Sequence, residues 1–101
     1  MSGRKSRNKG ATGERELANL LRDTWPTRRG YQRRSGSDEC DVEGTPYWVE
    51  AKRVKKQERV RAAMKQAQGD TDGRPPVVFS RPDGDEWLVT MTLADWLRLV
   101  K

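Results

Sequence analysis

The stretch Tyr47-Trp48-Val49-Glu50-Ala51-Lys52-Arg53, "YWVEAKR", sets two charges within a segment that otherwise has the character of a buried strand. Four of its first five residues are apolar, and aromatic and β-branched residues favour strands. Successive side chains of a strand point to opposite faces, so Trp48, Glu50 and Lys52 share one face. These charges therefore need an explanation: a chemical role or a simple ion pair.

The preceding strand offers a second carboxylate, Asp41. If the loop between the two strands has an even number of residues, Val42 pairs with Tyr47. Asp41 then lies on the same face as Glu50, diagonal to it and within reach of a shared ion. An odd-numbered loop turns Asp41 away. The acids that compete for its place if the register differs are Asp38 and Glu43.

The first predicted helix, about 13–23 with Thr12 as its cap, offers a third carboxylate. At about 100° per residue, Glu14 lies on the side of the apolar stripe and Glu16 roughly opposite. A negative charge is tolerated near a helix N-terminus. The stripe consists of Leu17, Leu20 and Leu21.

Carboxylates gathered on a buried face repel one another and lose hydration, so they usually enclose a cation. Asp41 and Glu50, with Glu14 as a third member, form an all-oxygen set that suits magnesium, with manganese as a substitute. Lys52 is placed to orient a water and to stabilise charge on a reacting phosphate. The pattern therefore predicts phosphodiester hydrolysis.

Composition points to a polyanionic partner. The chain has 101 residues, which suits one small domain, and 36% of them are charged while 33% are hydrophobic. Residues 1–34 hold ten Lys and Arg against three Asp and Glu. A one-sided basic field favours nucleic acid, and we expect the arginines beside the proposed site to contact phosphates. They are Arg28, Arg29, Arg33 and Arg34.

Several chemistries are excluded by composition. The chain has no histidine, so histidine bases, histidine metal ligands and Ser-His-Asp catalysis are ruled out. The single Cys40 cannot form a zinc finger or an internal disulfide, and we expect it to be a small buried side chain. We predict no membrane span and no signal peptide, hence a cytoplasmic protein, or one of the host cytoplasm if a phage encodes it.

The predicted organisation is a flexible basic arm over 1–10 and a single domain over 11–101. After the first helix we expect strands near 31–35, 39–43 and 46–52, a helix near 56–68, strands near 77–79 and 87–91, and a final helix capped by Thr92. The fold class is α/β, a small mixed sheet flanked by helices.

Tryptophan and apolar spacing predict the core. The last helix has a complete apolar stripe, and we expect most of the four tryptophans to be buried, with Trp25 beside Pro26 as the exception. Gln66 is expected at a solvent edge of the second helix, although it lies where it can reach the site. The stripe of the last helix is Leu93, Trp96, Leu97 and Val100.

Asp41…Glu50-Ala51-Lys52 resembles the D-(x)n-E-x-K signature of the PD-(D/E)XK nucleases. The run from Gly10 to Leu17, "GATGEREL", is similar to the first helix of archaeal-type Holliday junction resolvases, and Arg34-Ser35-Gly36-Ser37 is similar to their Arg-Ser loop. The resemblance covers about residues 9–56. It implies a restriction-endonuclease-like α-β-β-β-α-β core and a homodimer.

The resemblance also implies roles for individual residues. Glu14, Asp41 and Glu50, with the Ala51 backbone, would hold magnesium, and Lys52 would serve the attacking water. The residues that would contact DNA are Arg15, Arg34 and Ser37, and we add Arg53 to that set.

The leading hypothesis is a magnesium-dependent endodeoxyribonuclease, structure-specific and resolvase-like. A nicking or flap endonuclease fits the same residues. A non-catalytic basic DNA-binding protein is the alternative of a different class, and in that case Glu50 and Lys52 form only an ion pair. An adaptor that docks an acidic protein surface has the least support.

Overall fold

Strand β3, Trp48–Lys52, is the middle strand of a five-stranded sheet in the computed structural model, which describes residues 3–31, 39–53 and 57–101. The sheet order is β1-β2-β3-β4-β5, with β3 and β4 parallel and the other neighbours antiparallel. The remaining strands are β1 Arg28–Arg29, β2 Val42–Glu43, β4 Pro76–Ser80 and β5 Leu88–Thr90. The helices are α1 Gly3–Leu21, α2 Gln57–Asp70 and α3 Leu93–Val100.

Helix α2 connects the two parallel strands, as a parallel pair requires, and covers one face of the sheet. On that face Glu50 lies beside Val78 in the β3–β4 register, and Val60 and Ala63 of α2 form a buried cluster with Val78. Trp48, two residues before Glu50, is 2% exposed. The face that carries Glu50 is therefore an interior face.

Helix α1 covers the opposite face, over β1, β2 and β3. Its Leu17 and Ala18 belong to the same buried cluster as Val42 and Val49. The Thr27 hydroxyl donates a hydrogen bond to the Ala18 carbonyl at 2.6 Å, which ties the start of β1 to this helix. The α1 side of β4 and β5 has no such cover.

The predicted order of helix, three strands, helix, two strands and helix is confirmed, with two corrections. Helix α1 begins at Gly3, so residues 3–10 are helical where a flexible arm was predicted; the long side chains of Arg and Lys have good helix propensity. The first strand is Arg28–Arg29, not 31–35. Of the predicted strand only Tyr31 is described, and it lies outside the sheet.

The last helix has the predicted cap but not the predicted burial. The Thr92 side chain accepts a hydrogen bond from the Asp95 N–H at 3.1 Å. Trp96, expected in the core, is 47% exposed, whereas Trp48 is buried as predicted. In the described ranges no helix is both long and apolar enough to cross a membrane.

Candidate active site

Glu50 is a buried carboxyl group at the centre of the sheet. It is 8% exposed, with α2 packed over its face, and Lys52 follows two residues later on the same face, half-buried. The strand alternation predicted from sequence therefore places these two charges together. Their neighbours decide whether they form more than an ion pair.

Asp41 reaches Glu50 from the neighbouring strand. Val42 lies opposite Val49, so the register is shifted by two residues from the predicted Val42–Tyr47 pair, while the loop keeps an even number of residues. The Asp41 carboxylate accepts a hydrogen bond from the Ala51 N–H at 2.9 Å. Asp41 thus lies beside Glu50 rather than diagonal to it, and we call these two residues the acid pair.

The two carboxyl groups of the acid pair perturb each other. Burial is the main cause that raises the pKa of both, and the side chains share a hydrogen bond. The negative charge of Asp41 raises the pKa of Glu50 further, while the Lys52 ammonium lowers the pKa of both acids. Two buried acids in contact favour either a shared proton or a bound cation.

Glu14 lies near the acid pair but has another partner. Its carboxylate accepts a hydrogen bond from Arg29 Nε at 2.6 Å, and its side chain is 14% exposed. Its negative charge contributes to the raised pKa of Asp41. The predicted proximity of Glu14 to the site is therefore present, with the Arg29 guanidinium as its counterion.

Gly30 allows β1 to approach the strand that carries Asp41. Its N–H donates to the Asp41 carbonyl at 2.8 Å, and a Cβ built on Gly30 would lie 1.6 Å from the Cys40 carbonyl oxygen. Sequence reasoning treated this glycine only as a helix-breaking residue. Its position directly after two arginines at a sheet edge gave no stronger signal.

Arg74 and Glu43 hold the other side of β2. Arg74 makes two hydrogen bonds to the Glu43 carboxylate, at 2.9 and 3.1 Å, and its guanidinium lies 5.3 Å from the centroid of a Trp48 ring. The Arg74 contact lowers the pKa of Glu43. Glu43, considered as a competing metal ligand, is thus a structural anchor for the strand; Asp38 lies outside the described residues.

Cys40 packs directly before Asp41, buried as predicted. Its Sγ donates to the Val42 carbonyl at 3.1 Å, and burial raises the pKa of the thiol to about 11. The thiol is therefore protonated at neutral pH and takes no part in the charge balance of the acid pair.

The arginines predicted to contact DNA differ in their surroundings. Arg28 pairs with Glu39 and holds the pKa of that carboxyl at about 2. Arg53 is 13% exposed and contacts Asp83 at 2.8 Å and Glu16 at 3.7 Å, so it links α1 to the segment after β4. Arg15 is exposed, as is Gln66 on α2. Outside the described residues lie Arg33, Arg34 and Ser37.

The donors suit a hard cation, although they number fewer than predicted. In residues 3–31, 39–53 and 57–101, no group of three or more Asp, Glu, Cys or His converges as a ligand set. Magnesium keeps several waters and binds proteins through one or two carboxylates, which the acid pair offers. The Ala51 N–H faces Asp41, and in a strand the carbonyl of the same residue points the same way.

The class of the molecule is a small α/β domain with a five-stranded mixed sheet and three helices in its described part. No protein-family model matches the chain, and no curated protein or solved structure is significantly similar to it. The function is therefore argued from the chemistry of the acid pair and its surroundings.

Proposed function

We propose that this chain is a magnesium-dependent endodeoxyribonuclease in which the acid pair and Lys52 form the active site. The observation that carries the proposal is the contact between two buried carboxyl groups on adjacent strands, with a lysine next along the same strand face. The buried Glu50 and the three-element origin of the charges support this better than a surface ion pair does.

The energetics of the acid pair favour a cation-binding role. A protein gains no stability from two acids that are buried against each other, because desolvation and mutual repulsion both oppose ionisation. Ionic contacts that serve only folding pair opposite charges, as Arg74 and Glu43 do in the same sheet. The acid pair has Lys52 as one positive neighbour for two negative groups.

Each residue of the proposed site has a separate task. Asp41 and Glu50, with the Ala51 carbonyl, would bind the metal ion, which when bound supplies Lewis-acid stabilisation of phosphate charge and a water of lowered pKa. Lys52 would hold the attacking water by hydrogen bonding and stabilise the charge that develops on the phosphate. Glu14, restrained by Arg29, would add negative charge beside the pair.

The charge of the chain supports DNA as the substrate. The net charge is +6, and cations that neutralise phosphates provide affinity without reading sequence. Arg15 is exposed on the helix that also carries Glu14. The order of elements is compatible with the restriction-endonuclease-like core that the resemblance implies, and branched DNA is the substrate class we favour within it.

The test compares the parent with Glu50→Gln, which removes one charge with little change in shape. Glu58→Gln is a matched control, because Glu58 is an exposed acid in the first turn of α2. Four-way junction, flap, nicked and linear duplex DNA are each incubated with magnesium and with chelator, and binding and cleavage are measured separately.

We expect magnesium-dependent cleavage by the parent and by Glu58→Gln, and DNA binding without cleavage by Glu50→Gln. The preferred substrate then distinguishes a junction resolvase from a nicking or flap nuclease. Binding without cleavage by the parent in both magnesium and manganese would overturn the proposal in favour of a DNA-binding protein. Cleavage that persists in Glu50→Gln would show that the active site lies elsewhere.

A further inference from the structure

Helix α3 turns its apolar side away from the rest of the molecule. Asp95 is the residue of this helix that the fold covers most, with a side chain 15% exposed, and no residue of α3 is buried. The four apolar residues at helical spacing are 42 to 69% exposed. We call these residues the outer stripe: Leu93, Trp96, Leu97 and Val100.

An apolar groove lies next to this helix on the α1 side of the sheet. Its floor is formed by Val77, Phe79 and Val89, which share a face because Phe79 lies opposite Val89 in the β4–β5 register. Trp25 and Leu99 flank it, and the volume is about 180 Å³. Helix α1 packs over β1, β2 and β3, so this part of the face lacks a covering helix.

The charge of this region suits a second copy of the same chain. Each copy carries a net charge of +6 and would repel another across its basic surfaces. Between residues 87 and 100 the only charges are Asp95 and Arg98, which pair with each other, so the region is locally neutral. An acidic partner protein or DNA would gain little from this neutral surface.

The size of the surface also suits a homodimer. The exposed apolar side chains of β5 and α3 present on the order of 600 Å², against about 800 Å² per partner in a standard interface. They include Leu88 and Val89 of the edge strand together with Leu99 and the outer stripe. An apolar helix and an apolar groove on one chain can satisfy each other across a two-fold axis.

We infer that the outer stripe and the groove form a homodimer interface, in which α3 of each copy packs against the groove of the other. The inference rests on exposure, shape and charge at β5 and α3, and it holds whether or not the acid pair cuts DNA. In the dimer the outer stripe becomes buried, and the free edge of β5 lies inside the interface.

The test is sedimentation equilibrium of the full chain over a range of concentrations, with Leu97→Glu as the disrupting variant. Leu20→Glu is the matched control, because Leu20 is a 57% exposed leucine on α1 outside the proposed interface. Both changes add one charge at a solvent-exposed leucine, so neither should unfold the monomer. Circular dichroism verifies that each variant is folded.

We expect a dimer for the parent and for Leu20→Glu, and a monomer for Leu97→Glu at the same concentration. If Leu97→Glu does not fold, the uncharged Leu93→Gln replaces it and should weaken dimerisation by at least about tenfold. A parent that stays monomeric at its highest soluble concentration overturns the inference. A folded Leu97→Glu that remains as dimeric as the parent overturns it equally.

Discussion

At the centre of the sheet a charged residue is buried, and at its far edge apolar residues are exposed. Glu50 is 8% exposed and touches a second acid, whereas Leu93 is 69% exposed on a helix with no buried residue. Both arrangements oppose the usual partition of polar and apolar groups. Each is explained by a component that this single chain does not contain: a cation in one case, a second copy in the other.

The two regions differ in how firmly the chain holds them. Around the acid pair, Gly30 and Arg74 fix β2 from both sides, so the carboxyl groups are positioned before any ligand arrives. Around α3, the main fixed feature is the Thr92 cap. A catalytic site benefits from such preorganisation, while an interface can be completed by its partner. Substitutions at the two regions should therefore have very different costs.

The largest effect is expected from Gly30→Ala. A Cβ at this position would lie 1.6 Å from the Cys40 carbonyl oxygen, so β1 or β2 must move, at a cost of about 3 kcal/mol or more in the free energy of unfolding. Urea denaturation measures it. Gly69→Ala is the control, because a Cβ there meets nothing within 4 Å. A cost for Gly30→Ala no greater than for the control would contradict this close approach.

The next effect has the opposite sign. Because folding raises the pKa of Glu50, the stability associated with this group is fully present below its unfolded pKa of about 4 and is lost as pH rises through the folded pKa. Glu50→Gln removes this loss, so in chelator it should be more stable than the parent by about 2 kcal/mol above that window. Thermal unfolding against pH measures the difference.

Magnesium should reverse that order. Because a ligand stabilises only the state that binds it, the parent should gain thermal stability with added magnesium and Glu50→Gln should gain much less. Equal gains in both proteins would mean that magnesium binds elsewhere. A variant less stable than the parent in chelator at every pH would mean that the acid pair does not repel as the structure indicates.

Glu43→Gln should show the reverse pH dependence with a smaller magnitude. Arg74 lowers the pKa of Glu43, so the ionised carboxylate contributes stability above its unfolded pKa of about 4 that is lost as pH falls through the folded pKa. At neutral pH the variant should lose about 1–2 kcal/mol. The loss should disappear in acid; a loss that is independent of pH would indicate packing rather than charge.

The smallest effect is expected from Leu93→Ser at the opposite region. Leu93 is 69% exposed, so in the monomer the change should alter the free energy of unfolding by no more than about 0.5 kcal/mol. Denaturation at a concentration below dimer formation measures it. A large loss under those conditions would mean that Leu93 packs within its own chain, and the contrast between the two regions would fail.

The parts of the fold that were predicted correctly are those with local signals. The period-2 pattern of 47–52, the Thr92 cap and the two Pro-Gly-rich turns fixed most elements, and the parity of the β2–β3 loop brought Asp41 to Glu50. The two-residue shift in register was not predictable from the loop sequence. It depends on tertiary contacts such as the one between Arg74 and Glu43, which are 31 positions apart.

The candidate site was harder to complete from sequence than to locate. Spacing alone identified Glu50, Lys52 and Asp41, because strand alternation is a short-range property. The pairing of Glu14 with Arg29 depends on how α1 packs over β1, and nothing local encodes that distance. Amphipathic spacing likewise predicted that the stripe of α3 is buried, but spacing identifies an apolar side and not which molecule covers it.

The buried thiol of Cys40 gives this chain an internal reporter. It is the only cysteine of the sequence, it lies directly before Asp41, and it is protonated at neutral pH. An alkylating reagent can reach it only when the surrounding structure opens, so the labelling rate measures how often the segment beside the site becomes accessible. A slower rate in magnesium than in chelator would convert ion binding into a chemical clock, read by mass spectrometry without any substrate.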